Sequence, residues 1–258
     1  MQPSVTIYPI FWVPAKLQTG AATSMTAHYQ AVQVTMLANF LGHGIGSLLT
    51  QYYQKSPAAF VQNKGGVIKY YTDSSPYPPS GCKDPATPGN CLSDAQIQAE
   101  VKKVMSAAGV TGGLNKIFMV FTSSGEGTCM ATGGACSYHG FCAYHSSFKV
   151  GTTPVIYSNQ PFGTTNGCQV SGAPSPNGDP DADAAATSAS HELSEAMTDP
   201  LGTGWFSAQG NEIGDICAYK YGPLTWDGGA ANQMWNGNYF LLQTEFDNHA
   251  GGCYQVGP

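Results

Sequence analysis

Residues 188–200 contain a His-Glu pair that is followed, four positions after the histidine, by a second glutamate. On a helix, His191 and Glu195 would lie above one another on one face, so both could bind one cation. Glu192, about 100° further round, would act on a water bound to that cation. This is the HExxH zinc helix with glutamate as the second ligand. The pattern predicts a metal site with Glu192 as the general base.

The same spacing has a simpler interpretation. An ordinary amphipathic helix would pack Leu193, Ala196 and Met197 inward and leave the histidine and both glutamates in solvent. Other residues of the sequence are needed to choose between these two interpretations.

A second acidic pair follows the predicted helix at Glu212 and Asp215. Some zincins take a third ligand from a downstream glutamate, and a later aspartate orients the helix histidine. We therefore predict Glu212 as a ligand, with Asp215 or Asp199 behind it. The alternative is a solvated turn before a buried Ile216 and Cys217.

One histidine and two carboxylates would bind zinc weakly, because zinc prefers nitrogen and sulfur donors. A second imidazole is available in the alternating stretch 138–145, which is typical of a strand. His139 and His145 are six residues apart and would point to one face of it. Either can complete the site, and either can instead be a structural residue beside aromatic side chains.

From residue 112 onward, the order of motifs resembles the phosphate-induced, or Exordium-like, family of secreted proteins. The similar segments are 117–124, 141–145, 154–159, 176–179, 191–195, 199–201, 204–206 and 212–217, with a looser similarity at 5–12. The resemblance implies the same His-Glu-x-x-Glu helix and a Cys-x-x-His element at Cys142 and His145. It therefore favours His145 over His139. It implies a role in growth and the cell wall and no particular reaction.

The eight cysteines are spread widely and include no CxxC pair. This pattern is typical of oxidised disulfides in an extracellular protein and disfavours a zinc ribbon. Two pairs would close short loops and two would hold the site region. The predicted bridges are Cys82–Cys91, Cys129–Cys136, Cys142–Cys168 and Cys217–Cys253.

Composition also favours a secreted protein, since only 10% of residues are charged and 42% are apolar. All ten basic residues are lysine, the net charge is −6 and no basic cluster exceeds Lys102-Lys103, so nucleic acid is not expected as a partner. No apolar run approaches the length that spans a bilayer, and the first residues lack signal-peptide features. We expect a mature secreted monomer with no membrane segment.

The chain is predicted to be one α/β (α+β) domain over residues 1–258, with a mixed sheet packed against long helices and the site region at about 117–217. Predicted strands cover 5–12, 67–71, 117–122, 138–145, 155–158 and 239–246. Two helices are predicted from 25 to about 53, broken near Gly42-His43-Gly44. Another begins after Ser93 with a capping box to Gln96, and the site helix ends at Pro200.

Alternating oxygen donors precede the site helix at Asn177, Asp179, Asp181 and Asp183. Such a series suits calcium, although the loop lacks the glycine and the closing glutamate of an EF-hand. Part of the pattern has another explanation, because carboxylates are favoured in the first turn of a helix.

These residues predict a secreted metal-dependent hydrolase, a zinc peptidase with a zincin-like helix that acts on proteins or peptides. Two alternatives stay open. One is a non-catalytic protein that binds cell-wall polysaccharide and uses the metal for stability. The other is a glycosidase with paired carboxylates such as Glu192 and Glu212.

Overall fold

The computed structural model describes residues 4–55, 58–131, 134–163, 168–170 and 172–257. The α-helices are Ala27–Phe40 (α1), Gly44–Leu48 (α2), Asp94–Ala108 (α3) and Pro180–Thr198 (α4). The strands are Val5–Trp12 (β1), Tyr53–Lys55 (β2), Ala58–Phe60 (β3), Gly65–Val67 (β4), Tyr71–Asp73 (β5), Cys91–Ser93 (β6), Gly113–Thr122 (β7), Gly127–Cys129 (β8), Tyr144–Val150 (β9), Thr153–Gln160 (β10), Gln233–Trp235 (β11), Asn238–Phe240 (β12), Glu245–Asp247 (β13) and Gly252–Tyr254 (β14).

A mixed six-stranded sheet forms the centre, as predicted. β1 pairs in parallel with β4 and β5 along one edge and with β7 along the other. β7 continues in parallel to β10, and β9 closes the sheet antiparallel to β10. The remaining strands form two-stranded ladders around this sheet. The fold class predicted from the sequence is therefore confirmed for its mixed sheet and helices.

Apolar residues occupy both faces of the central strands, which explains why these strands are continuously hydrophobic. On one face, Phe11, Met119 and Ile156 pack against α1 and α4. On the other, Phe118 and Tyr157 pack with residues of α3. The site helix α4 is thus held against the sheet by core packing.

The helix predictions agree with the structure. The chain breaks between α1 and α2 near Gly42, and the Ser93–Gln96 capping box begins α3. The sequence analysis found no apolar run of membrane-spanning length, but residues Ala27–Gln51 are long and apolar enough to cross a membrane by length and composition. More than half of that window is buried, so packing in the core accounts for its apolar character.

The bounds predicted for three strands were wrong. The stretch 67–71 is divided between β4 and β5, because Ile68 turns outward and is highly exposed. The stretch 138–145 is irregular up to β9, since Tyr138 adopts a left-handed φ of 72° at a turn. The stretch 239–246 contains β12 and β13 separated by 241–244.

The structure contains all four predicted disulfides, Cys82–Cys91, Cys129–Cys136, Cys142–Cys168 and Cys217–Cys253. The first two are adjacent, with 3.4 Å between Cys91 Sγ and Cys129 Sγ. Cys142–Cys168 joins two segments that precede α4 in the chain, and Cys217–Cys253 joins two that follow it.

Candidate metal centre

Helix α4 begins and ends where its sequence specifies. Asp179 is the N-cap, and its Oδ1 accepts a hydrogen bond from the Ala182 N–H at 3.0 Å. Pro180 occupies the first helical position, where its missing N–H costs nothing. The helix ends at Thr198, just before Asp199 and Pro200. Its C-terminal half carries the His-Glu-x-x-Glu residues, which contact His145 of β9 and the 210–217 loop.

The acidic residues considered as calcium ligands make hydrogen bonds at the start of this helix. Asp181 accepts a hydrogen bond from Gln169, and Asp183 accepts hydrogen bonds from Ser175 and Asn177. Within the described ranges, these carboxylates do not belong to any group of three with ligand atoms within 4.8 Å of one another. The calcium site stays a prediction that this geometry does not support.

The predicted i, i+4 contact between His191 and Glu195 is present. His191 Nε2 lies 3.1 Å from Glu195 Oε2, and it also lies 3.8 Å from Asp215 Oδ1. Both residues of the pair are largely buried. The amphipathic alternative, with His191, Glu192 and Glu195 in solvent, is therefore wrong.

Gln243 determines which nitrogen of His191 carries the proton. Its Oε1 accepts from the Tyr219 backbone N–H at 3.2 Å, and its Nε2 donates to the Gly214 carbonyl at 2.9 Å. These two backbone partners fix the orientation of the amide. The same Nε2 lies 2.9 Å from His191 Nδ1, which must therefore accept. The His191 proton is then on Nε2, directed at Glu195.

Burial lowers the pKa of His191, but the carboxylates of Glu195, Glu192 and Glu245 raise it well above its ordinary value. Protonation at Nδ1 would bring an N–H against the N–H of Gln243. A raised pKa favours the imidazolium, which carries protons on both nitrogens, so the N–H of Gln243 at Nδ1 opposes this effect of the carboxylates. The proton of the neutral ring lies on Nε2, directed at Glu195.

His145 also carries its proton on Nε2, but in this residue Nδ1 is the nitrogen that faces the carboxylates. Its Nε2 lies 3.2 Å from the backbone carbonyl oxygen of Asp199, which can only accept, so Nε2 carries a proton. Its Nδ1 points to two carboxylate oxygens, at 3.3 Å from Glu192 Oε2 and 3.7 Å from Glu195 Oε2. In the neutral ring, a nitrogen lone pair therefore faces two acceptors.

The three side chains that meet at this point are almost completely removed from water. Their exposed fractions are 8% for His145, 6% for Glu192 and 4% for Glu195. Burial lowers the pKa of His145, but Glu192, Glu212 and Glu195 together raise it to about 9. Burial raises the pKa of Glu192. For Glu195 burial is outweighed by the two imidazoles, which lower its pKa.

The backbone of the 210–217 loop holds the other oxygen of Glu195. Its Oε1 accepts from the N–H groups of Gly214 and Asp215, each at 3.1 Å. A Cβ at Gly214 would lie 2.7 Å from His191 Nδ1 and 2.9 Å from Glu195 Oε1. Only glycine lets the loop approach this closely.

The downstream acidic residues lie on different sides of the cluster. Glu212 Oε1 is 3.6 Å from His145 Nε2, on the far side of that ring from the other carboxylates. Burial raises its pKa to about 8. Asp215 is 54% exposed, and its pKa is raised by burial and by Glu195. Asp199 takes part through its carbonyl, while its Oδ1 accepts from Thr203 and Gly204.

Two groups of side chains at this cluster have the spacing of metal ligands, and they share Glu195. One consists of His145, Glu192 and Glu195, and the other of His191, Glu195 and Asp215. Glu212 belongs to neither group among the residues described. His139, the other imidazole considered for the site, is exposed and lines a separate cavity.

Two cavities border the cluster. The first, about 200 Å³, is lined by His191, Glu192 and Asp215 together with aromatic side chains. The second, about 180 Å³, is lined by His145, Asp199 and Glu212. The cluster can therefore be reached from a cavity on each side.

The sequence analysis missed Gln243 and Gly214. Gln243 lies in the irregular stretch 241–244. The backbone N–H groups of this stretch donate hydrogen bonds to Asn232, Thr187 and Lys220 and not to a neighbouring strand. Nothing local marks Gln243 in the sequence. The one available signal for Gly214 was its position between Glu212 and Asp215.

No protein-family model, curated protein or solved structure matches this chain. The resemblance to the Exordium-like family therefore stays a prediction.

Proposed function

We propose that this protein is a metal-dependent hydrolase that cleaves peptide bonds, with the metal held by His145 Nδ1, Glu192 and Glu195. The observation that carries the proposal is the Asp199 carbonyl opposite His145 Nε2. Because Nε2 donates to this carbonyl, the lone pair of Nδ1 faces two carboxylate oxygens, and this contact is buried.

The cluster needs a positive charge beside His145 Nδ1, which a metal ion would supply. Lone pairs and carboxylate charges without a donor or counter-ion are costly when removed from water. Donors bound tetrahedrally to zinc at about 2.0–2.2 Å are separated by roughly 3.3–3.6 Å. The Nδ1 distances to Glu192 and Glu195, 3.3 and 3.7 Å, agree with this spacing.

Without a metal, a proton meets the same need. The raised pKa of His145, about 9, means that its ring is an imidazolium at neutral pH in the metal-free protein. A metal ion would displace that proton, as metals do when they bind protonated ligands. The Asp199 carbonyl would then orient the ring from behind, the usual partner of a ligating histidine.

This assignment changes the roles that the sequence suggested for Glu192, His191, Glu212 and Asp215. Glu192 becomes a ligand, because its Oε2 is the closest carboxylate oxygen to His145 Nδ1. His191 becomes the hydrogen-bond donor that positions Glu195, because Gln243 keeps its proton on Nε2. Ligation through His191 Nε2 would require the Gln243 amide to turn over and lose two backbone hydrogen bonds.

Asp215 is the best-placed general base. It is the most exposed carboxylate of the cluster, it lines the first cavity and it lies 3.8 Å from His191 Nε2. Its raised pKa brings it closer to neutral pH, which makes a better base. Zinc bound at the cluster would lower the pKa of its water and polarise a carbonyl.

The cavity favours an amide over a phosphate ester. The described residues that line it include Glu192 and Asp215 and no lysine, so an anionic substrate would be repelled. The four disulfides fit an oxidising compartment, where we propose the enzyme acts as a secreted protein.

A second candidate function has its own support. The near-complete burial of His145, Glu192 and Glu195 is typical of structural metal sites, which are closed. In that case the ion would tie α4 to β9 without catalysis, in a protein that binds polysaccharide.

The experiment is a digest of a peptide library and of oligosaccharides by the purified protein, with zinc and with a chelator, alongside the melting temperature. Zinc-dependent peptide cleavage supports the proposal. A chelator that lowers the melting temperature while no peptide is cleaved supports the structural ion. Cleavage that is indifferent to the chelator overturns the metal-dependent hydrolase, and a melting temperature that is indifferent to it overturns the structural ion.

A further inference from the structure

Tyr219 has an unusual backbone conformation at the mouth of the first cavity. Its φ is 61°, in the left-handed region, which bulky side chains adopt rarely because the backbone is strained there. The conformation is held in place because its N–H donates to Gln243 Oε1 at 3.2 Å. That amide also contacts His191, so the position of Tyr219 is coupled to the metal cluster.

The side chain of Tyr219 is 64% exposed, which is high for a large aromatic residue. Its hydroxyl lies 3.9 Å from Cys142 Sγ, and that sulfur is joined to Cys168. Tyr219 and this disulfide line both the 200 Å³ cavity and an adjoining one of about 110 Å³. Phe141 lines both cavities as well. These aromatic and sulfur-containing side chains thus form a wall that the two cavities share.

The dimensions indicate what this wall can bind. The first cavity is smaller than the roughly 300–1,000 Å³ typical of pockets for whole ligands. It would hold one side chain of a longer substrate. Two carboxylates that line it, Glu192 and Asp215, disfavour an acidic side chain, and the wall of Phe141, Tyr219 and the disulfide offers stacking contacts.

We propose that Tyr219, together with Phe141 and the Cys142–Cys168 disulfide, forms a subsite that binds a neutral aromatic side chain of the substrate next to the cleaved bond. This inference rests on the proposed peptidase function and names its specificity. Tyr219 is the specificity-determining residue, since the left-handed backbone places its ring over the cavity in advance of binding.

Binding can be measured without turnover. N-acetylphenylalanine amide, N-acetylalanine amide and N-acetylaspartate amide would be titrated into the full chain and followed by NMR chemical shifts. The variants are Tyr219→Phe, which keeps the ring, and Tyr219→Asn, which tolerates the left-handed backbone without it. Tyr219→Gly is the substitute if Tyr219→Asn does not fold.

We expect the phenylalanine amide to bind most tightly and the aspartate amide least. Stacking of aromatic rings corresponds to about two- to twelvefold in affinity, so Tyr219→Asn should weaken the phenylalanine amide by that factor. Tyr219→Phe should retain it. In a zinc-dependent digest, Tyr219→Asn should lower kcat/KM for aromatic substrates more than for alanine substrates.

Equal affinity for the three amides, equal affinity in Tyr219→Asn, or binding of an oligosaccharide in their place would overturn the subsite. Each of these can occur while zinc-dependent cleavage persists, which leaves the proposed function intact. Selective, Tyr219-dependent binding without any cleavage would instead retain the subsite and reject the peptidase.

Discussion

The imidazole of His145 donates from Nε2 to the backbone carbonyl oxygen of Asp199, 3.2 Å away. This contact joins β9 to the C-terminal end of α4 and decides which nitrogen faces the carboxylates. The amide of Gln243 donates to Nδ1 of His191 and leaves its proton on Nε2, so in His191 the protonated nitrogen is the one that faces Glu195. Two histidines a few ångströms from the same Glu195 are thereby given different tasks.

Asp215→Asn should remove catalysis and leave the metal. The amide cannot accept a proton from water, and general bases contribute typically 10²–10⁴-fold to rates. We expect kcat to fall by about that factor with unchanged zinc content, measured by peptide cleavage and elemental analysis. Asp227→Asn, an exposed aspartate in the 3₁₀ turn Asp227–Gly229, is the matched control. Full activity in Asp215→Asn would assign the base elsewhere.

Gly214→Ala should disturb both helix residues at once. The added Cβ would lie 2.7 Å from His191 Nδ1 and 2.9 Å from Glu195 Oε1, so the loop must withdraw and its hydrogen bonds to Glu195 lengthen. Overpacking of this kind costs about 1–3 kcal/mol. We expect a lower free energy of unfolding, measured by urea denaturation, and weaker zinc binding, measured by zinc titration. Unchanged zinc affinity would show that the loop does not position Glu195.

The tautomer of His191 is open to direct measurement. Long-range ¹H–¹⁵N spectra of the imidazoles should show its proton on Nε2 and an unprotonated Nδ1 that accepts from Gln243. In Gln243→Glu the carboxylate would attract a proton to Nδ1 and lose the hydrogen bond to Gly214, at a cost of about 1–3 kcal/mol. A wild-type Nδ1–H signal for His191 would contradict the argument that excludes it as a ligand.

Glu126, which lies away from the cluster, should make the free energy of unfolding depend on pH. It is fully buried, neither carboxylate oxygen has a hydrogen-bond partner in the described part of the chain, and burial raises its pKa to about 8. The unfolded chain releases this proton near pH 4.5, whereas the folded chain keeps it until about pH 8. The contribution of Glu126 to stability is therefore complete below pH 4.5 and is lost as the pH rises through 8.

Glu126→Gln copies the protonated form and should remove that dependence. The variant should match the wild type at pH 4 and exceed it at pH 8, by a few kcal/mol at most, in urea denaturation at both pH values. A variant that is less stable than the wild type at pH 8 would mean that the carboxylate is ionised and has a partner in solution.

Features set by neighbouring residues could be predicted from the sequence. The capping box at Ser93 and Gln96 begins α3, and His191 meets Glu195 because a helical turn brings them together. The short disulfide loops followed from the spacing of their cysteines. The strands β1 and β7 followed from continuous apolar runs, since both faces of the sheet are covered.

Features that depend on distant backbone groups could not be predicted. Residues 138–143 alternate like a strand, but the turn at Tyr138 separates His139 from His145. Gln243 reaches His191 only because the irregular stretch before β13 finds hydrogen-bond partners in three other segments. The sequence pattern also could not show that Glu212 and Asp215 lie on opposite sides of the cluster.

The central claim is that His145 Nδ1, Glu192 and Glu195 hold a metal, and zinc bound per chain after dialysis measures it. Wild-type protein and His139→Gln, in which an exposed histidine near β9 is changed, should each retain about one zinc ion. Loss of orienting partners behind a ligand costs 10–100-fold in affinity, and loss of the ligand itself in His145→Gln should cost more. His145→Gln that keeps its zinc, or wild-type protein that binds none, would contradict the account.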